Sequence, residues 1–321
     1  MAEIPLTQIV TLTINPALDV STSVNKMVPF TKMRCAPAHR DPGGGGINVA
    51  RVLKRLGIVT TAIYPAGGAT GKLLATLLEC EGVPSIVIPM ANDTREDITI
   101  FDETTREQFR LVFPGAPLSD MESQECLAAV ARITPRPAFI IASGSLPAGV
   151  SHDFYGRVAQ ASKTGSKVIV DTSGPFLKAA LEAGVYLIKP NLREFQELVG
   201  ITSTDEATLV EAGRRLFDRY RIEAIALSMG LDGALLVTRD RALRANGLPV
   251  EAVSVSGAGD SFLAAMVWSL VNGNSLEIAL RYGIAGGSAA LLNPGTGLCR
   301  PEDVHRLASE VIVTPIARNP R

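Results

Sequence analysis

The chain has 321 residues, 46% of them hydrophobic and 20% charged, with a formal net charge of −1. That balance belongs to a soluble globular protein with enough chain for one large or two ordinary domains. It excludes a broad basic surface for nucleic acid, so any phosphate has to be met by a few placed residues.

No apolar run approaches the ~20 residues that span a bilayer. Met1 to Pro5 carries none of the marks of an export signal, so a cytoplasmic protein without a membrane partner is expected. Cys35, Cys80, Cys126 and Cys299 are scattered with no Cys-x-x-Cys pair, which argues against a disulfide framework or a zinc site. His39, His152 and His305 do not fall at metal-ligand spacing.

Residues 9–14 are β-branched and apolar and break at Asn15-Pro16, which predicts a buried strand. Residues 19–40 show no helical period. Next comes DPGGGGINVARVLKRLG, residues 41–57, where four glycines lead into an amphipathic helix. A tetraglycine run costs folding entropy, so its backbone is needed in a conformation or at a distance that side chains would forbid. The run is nearly a dinucleotide fingerprint, but Asn48 stands where the third glycine belongs, and no strand is expected directly before it. A small polar ligand pressed against the backbone, with Asn48 offering a donor and an acceptor, fits better.

Residues 60–64 read as a strand and 71–81 as a helix. Gly71-Lys72 resembles a Walker A loop, but Ala66 replaces its first glycine and Leu73 its Ser or Thr, so a P-loop is rejected. A strand-to-helix turn lining the site remains open there. Residues 97–113 read as two strands around Glu103-Thr104-Thr105-Arg106, with partial apolar alternation. With residues 19–40 they would form a small antiparallel sheet acting as a lid; two decorated surface loops are the alternative.

Strand and helix then alternate: 138–142, 153–163, 167–170, 175–182, 186–188 and 191–199. This rhythm predicts a mostly parallel sheet covered on both faces, with ligand beyond the carboxyl ends of its strands. Asn191 and Glu194 share one helix face, as an outer-sphere magnesium network would require and as a capped surface helix would also produce. At 226–237 a strand ends in Ser228 with a turn at Gly230 and Gly233, equally a hairpin or a nucleotide contact. In VSVSGAGDSFLAAMVW, residues 253–268, two glycines and Asp260 sit at a helix start, where unpaired N–H groups can seat an anion. A turn with an acid favouring the helix dipole explains that stretch alone as well. Helices over 256–270, 275–292 and 301–311 complete the chain.

The motifs PGGGGINVAR, SGSLPAG, KPNLREF, LSMGLDGA and SGAGDSF, in this order, resemble the ribokinase-like, PfkB-type sugar kinases. The resemblance runs from Thr11 to about Cys299. It implies an α/β fold, a doubly wound mostly parallel sheet flanked by helices, with a small β-sheet lid. The core would comprise 1–15, 41–93 and 114–321, and the lid 16–40 and 94–113. Asp260 would be the catalytic base, beside an anion hole of Gly257, Ala258 and Gly259. Asp19, Gly44, Gly45, Gly46, Asn48 and Ser143 would meet the sugar. Lys189, Asn191, Ser228, Gly230, Gly233 and Ser288 would meet ATP, with Mg²⁺ held through water by Asn191 and Glu194. A K⁺ site would lie near Ser254, Ser256, Asn293 and Gly295. Ser256 departs from the resemblance, since relatives often carry Val or another small residue there, and it removes neither the base nor either glycine.

The further matches TKMRC, YPAGGATG and LNPGTGLC imply an acceptor that is itself phosphorylated, fructose 6-phosphate going to fructose 1,6-bisphosphate. Tagatose 6-phosphate and fructose 1-phosphate are the alternatives. Lys32, Arg34, Arg95 and Arg110 agree physically, since arginine clamps phosphate in bidentate fashion and lysine adds a point charge. Of these, Arg95 at the lid edge is expected at the phosphate and Arg110 as a solvated surface charge. A homodimer packed through its lids is expected, with Phe101, Phe109 and Phe113 as contacts and Lys32 or Arg95 completing the partner's site. A non-catalytic sugar-phosphate sensor would lack the base or the glycines, and both are present. A serine hydrolase would need a Gly-x-Ser-x-Gly elbow, which is not found.

Overall fold

In a computed structural model, residues 9–162 and 165–317 are described. Met1 to Pro5, and the expected end of a helix at Lys163, lie outside the described residues.

The first half of the chain runs β1 (Ile9–Leu12), β2 (Ala17–Val24), β3 (His39–Gly43), α1 (Gly45–Arg55), β4 (Thr60–Ala66), α2 (Gly68–Cys80) and β5 (Ser85–Pro89). It continues with β6 (Arg95–Asp102), β7 (Gln108–Val112), α3 (Asp120–Arg132), β8 (Phe139–Ser143) and α4 (Phe154–Ala161). Then come β9 (Lys167–Asp171), α5 (Gly174–Ala183), β10 (Val185–Ile188), α6 (Leu192–Val199), α7 (Glu206–Arg219) and β11 (Ile222–Ser228). The last part holds β12 (Ala234–Val237), β13 (Ala242–Ala245), α8 (Ala258–Val271), α9 (Leu276–Leu291), α10 (Pro301–Ala308) and β14 (Val313–Pro315).

The large sheet has ten strands in the order β14-β13-β12-β11-β10-β9-β8-β1-β4-β5. From β5 to β11 every pairing is parallel, and the last three strands add an antiparallel edge. β1 is IVTL and wholly buried, because helices cover both of its faces. Val10 and Leu12 pack toward a cluster fed by α3, α4, α5, α6 and α7. Ile9 faces the opposite cluster, fed by α1, α8, α9 and α10. From β1 the chain order of the strands runs outward in both directions, so β1 and β8 mark the switch point where such sheets open a crevice.

A second sheet, in the order β3-β2-β6-β7, stands off the carboxyl end of the first. It is mixed, not antiparallel throughout as expected: β2 and β6 leave the core side by side and run parallel, while each is paired antiparallel to its own return strand. β3 carries this sheet as far as Gly43 and leads through Gly44 into α1. The glycine run therefore does follow a strand, contrary to the sequence reading; the dinucleotide fingerprint still fails at Asn48. At the distal hairpin the Asp102 carboxylate accepts from the backbone N–H of Met27, Thr104 and Thr105 at 2.8–2.9 Å and fixes the turn.

Candidate active site

The four glycines are a packing necessity. Gly44 has φ 109°, a left-handed conformation. A Cβ on Gly45 would fall 2.2 Å from Ser143 Oγ, and one on Gly43 2.5 Å from the Asp19 carboxylate. Only bare backbone passes between the root of β2 and the end of β8. α1 begins at Gly45, and its first turn presents Asn48 inward, 4% exposed.

Opposite lies the start of α8. Its N-cap, Gly257, is left-handed at φ 74° and has no side-chain cap, so the first-turn N–H groups stay open toward the cavity. The cavity itself holds about 550 Å³. Asp260, in that first turn, lines it and accepts a hydrogen bond from Asn48 Nδ2 at 2.9 Å. Burial pushes the Asp260 carboxyl above the usual range, while the Asn48 donor and the charges of Lys189 and Arg110 oppose the shift.

Beneath α8, the buried Lys189 just past β10 and the half-buried Asp171 at the end of β9 form an ion pair at 3.1 Å. Burial alone would lower the Lys189 pKa; the Asp171 carboxylate, with the charges of Asp260 and Glu194, outweighs it and holds the pKa above the ordinary lysine value. Asp171 was not anticipated from sequence. It lines the cavity, and its available signal was an acid closing the apolar strand KVIVD, with a cation closing the next strand.

The small sheet supplies the other wall. Asp19, Asp97 and Asp41 are in register on β2, β6 and β3, so their side chains share one face. Asp19 is pushed up to about 6, first by burial and then by the neighbouring Asp97 charge. Arg95 also lines the cavity, donating to Asp97 Oδ1 at 3.3 Å and to the carbonyls of Phe113 and Asn15. Arg110 lines it too, on the face shared with Asp97; it is exposed, as a solvated charge is expected to be, and the β7 register also turns it toward the cavity.

Of the expected residues, the cavity collects Asp19, Gly44, Gly45, Asn48, Arg95, Ser143, Glu194, Gly257 and Asp260. Gly46 is buried behind it, where a Cβ would meet Thr13 Oγ1 at 2.5 Å. Lys189 lies beneath, and a Cβ on Gly259 would stand 3.4 Å from its Nζ. Asn191 and Glu194 form a reciprocal capping box at the start of α6, the structure that a capped helix predicts. Glu194 Oε2 is used in that box, and the side chain nevertheless lines the cavity.

Ser228, Gly230 and Gly233 build a hairpin through a single 3-10 turn, Gly230–Asp232, outside this cavity. Ser288 is buried within α9. The turn into α2 closes on Thr94, whose Oγ1 accepts from Gly67 N, and does not line the site. Lys32 and Arg34 lie exposed in the segment between β2 and β3, away from the cavity of their own chain. Just before Gly257, Ser254 Oγ donates to the Gly295 carbonyl at 2.9 Å and accepts from Ser256 N at 3.2 Å, and Ser256 Oγ is buried without a partner; Asn293 Nδ2 instead donates to the Ala289 carbonyl at 3.1 Å. Among the described residues no group of three or more His, Cys, Asp or Glu could hold a metal ion, and no helix is long and apolar enough to cross a membrane.

An open helix N-terminus beside a half-buried carboxylate, facing a polar wall across one cavity, is an arrangement for transferring an anionic group to a hydroxyl. Comparison with known proteins agrees. The chain is 46% identical over 300 residues to ATP-dependent 6-phosphofructokinase isozyme 2 of Mycobacterium tuberculosis, covering 93% of this chain and 88% of that one. Phosphofructokinase-2 from Escherichia coli in complex with fructose-6-phosphate superposes with a TM-score of 0.89 at 37% identity, over 95% of this chain and 99% of the other. The same enzyme in complex with potassium gives 0.90 at 38%, with the same coverage. The pfkB family carbohydrate kinase model matches residues 15–303, and the chain belongs to that family of ATP-dependent sugar kinases.

Proposed function

We propose that the protein transfers the γ-phosphoryl group of ATP to the C1 hydroxyl of fructose 6-phosphate, giving fructose 1,6-bisphosphate and ADP. The observation that carries this reading is Asp260, half-buried at the open N-terminus of α8, with Asp19, Arg95 and Arg110 on the opposite wall of the same cavity. Asp260 takes the proton of the attacking hydroxyl. The new O–P bond forms as the bond from phosphorus to the β–γ bridging oxygen breaks, and the electron pair leaves on ADP. N–H groups from Gly257, Ala258 and Gly259 meet the charge on the transferring group. Asp19 accepts from sugar hydroxyls, and Arg95 and Arg110 face the 6-phosphate.

The nucleotide is assigned to the side of Lys189, Ser228, Gly230, Gly233 and Ser288. Mg²⁺ bound with it neutralises phosphate charge when present, and Glu194, with its second carboxylate oxygen outside the capping box, suits the ordering of metal-bound water. The orphaned Ser256 Oγ, with Ser254, Asn293 and Gly295, suits a K⁺ ion in the same way. Exposed thiols at Cys35 and Cys80 suit a reducing, cytoplasmic setting.

A homodimer formed through the small sheets fits its outer face. Ile98 and Ile100 on β6 stand beside Leu111 and Phe109 on β7, and Phe113 extends the stripe. Phe109, Leu111 and Phe113 are 38–48% exposed. Phe101 points to the other face, under the Arg106 guanidinium, and drops out of that contact. Lys32 would then reach the partner's cavity, whereas Arg95, the other residue expected there, lines the cavity of its own chain.

Steady-state kinetics with ATP and fructose 6-phosphate, tagatose 6-phosphate or fructose 1-phosphate test the substrate. The highest kcat/KM is expected for fructose 6-phosphate. A preference of tenfold or more for either rival would overturn the assignment while keeping the kinase.

A further inference from the structure

Arg51, on α1, is the largest fully buried side chain of the described residues, 1% exposed. Burying a guanidinium is costly unless each donor finds an acceptor. Here Nε donates to both Glu81 oxygens at 2.9–3.0 Å and Nη2 to Glu81 at 2.6 Å and Asp41 at 3.1 Å. Nη1 donates to the Pro42 carbonyl at 2.8 Å and approaches Asn48 Oδ1 at 3.5 Å. Glu81 closes α2, whereas Asp41 and Pro42 belong to β3 at the root of the small sheet. Arg55, one turn further along α1, reaches the other way: its Nη2 is 4.0 Å from Glu81, and Nη1 donates to the carbonyls of Gly297 and Cys299 behind Gly257.

Asn48 lies one helical turn before Arg51, and its amide stands between a cation and a carboxylate. Only one orientation puts donors against acceptors on both sides: Oδ1 toward Arg51 and Nδ2 toward Asp260. A flipped amide would set Oδ1 against the Asp260 carboxylate. We propose that Arg51 is a positioning residue for phosphoryl transfer: it locks the Asn48 amide so that Nδ2 donates to Asp260, and ties that contact to the root of the small sheet through Asp41 and Pro42. Arg51 touches no reacting atom. It acts on the base through Asn48, and the inference rests on Asp260 as the base.

The groups facing Asp260 are Asn48 from α1, Lys189 past β10, Asp171 at the end of β9 and Arg110 from β7. Asn48 is the one among them that Arg51 holds. Losing its donor removes stabilisation of the carboxylate, so the base keeps its proton to higher pH. The acid limb of the kcat–pH profile therefore moves upward, whereas a purely structural role for Arg51 would lower stability and leave that limb in place.

The test is the pH dependence of kcat for wild type, Arg51→Lys, Asn48→Ala and the double variant, using whichever sugar phosphate the wild type turns over, with unfolding midpoints recorded in parallel. Lysine keeps the charge but cannot hold Glu81, Asp41 and Asn48 together. Arg51→Lys is expected to move the acid limb up by about half a pH unit or more and to lower kcat at pH 7 roughly three- to tenfold. Asn48→Ala should move the limb at least as far, and the double variant no further than Asn48→Ala alone. A wild-type limb in either single variant, or independent shifts that add in the double variant, would overturn the inference. A wild type that turns over no sugar phosphate would instead refute the proposed function, so the two failures are distinguishable.

Discussion

Asp19, which lines the cavity, couples stability to pH through one side chain. Its carboxyl is held at about 6 in the folded chain against 3.8 as the reference value, so the folded state binds that proton more tightly than the unfolded one. The ionised side chain therefore subtracts stability, fully above about pH 6 and not at all below about pH 4. Asp19→Asn is expected to unfold at a higher temperature than wild type at pH 8, with the gap closing as pH falls from about 6 to 4, and to lose sugar-phosphate binding. Unfolding midpoints across pH check this, and a gap that widens toward acid would refute it. At this scale the motif glycines, Asn48 and Asp260 were legible because tetraglycine and Gly-Ala-Gly-Asp are costly unless a backbone is approached closely. Asp171 was not legible, because pairing with Lys189 is decided by neighbouring parallel strands and not by nearby sequence. Arg110 is exposed as expected, and only the β7 register shows that it also faces the cavity.

The start of α6 is a capping box whose Glu194 also lines the cavity. In its capping box, Asn191 Oδ1 accepts from Glu194 N at 3.0 Å and Glu194 Oε2 accepts from Asn191 N at 2.9 Å. Glutamine at 194 keeps an acceptor for the cap but removes the charge. Glu194→Gln should thus change stability by less than ~0.5 kcal/mol while raising the Mg²⁺ concentration needed for half-maximal rate and lowering kcat. A magnesium titration superimposable on wild type would leave the pair as a cap and nothing more. The parallel strand–helix units were readable from period and length, since strands buried on both faces are short apolar runs. The polar helices α3 and α7 and the antiparallel edge β12, β13 and β14 were not anticipated, beyond a hairpin reading at Gly230 and Gly233. In α3 and α7 the charged faces dilute the apolar stripe, and β14 joins the sheet from more than sixty residues beyond its partner β13. The mixed small sheet escaped for the same reason, because β2 and β6 meet only after both have left the core.

At the level of the whole molecule, the small sheet has one polar face closing the cavity and one apolar face in water. A self-complementary apolar stripe of this kind favours pairing of two copies. Sedimentation velocity and specific activity over the same concentration series should show a dimer whose activity falls as dilution dissociates it; a fully active monomer would confine each site to its own chain. On the proposed reading, Asp260 drives phosphoryl transfer in the cavity between the two sheets. The most direct test of that reading is the rate of fructose 1,6-bisphosphate formation from ATP and fructose 6-phosphate by wild type and Asp260→Asn, with the affinity for fructose 6-phosphate measured on both. Turnover by wild type and a loss of kcat on the order of 10²-fold or more in the variant are expected, with sugar-phosphate affinity and unfolding midpoint close to wild type. A variant within tenfold of the wild-type rate would contradict that reading.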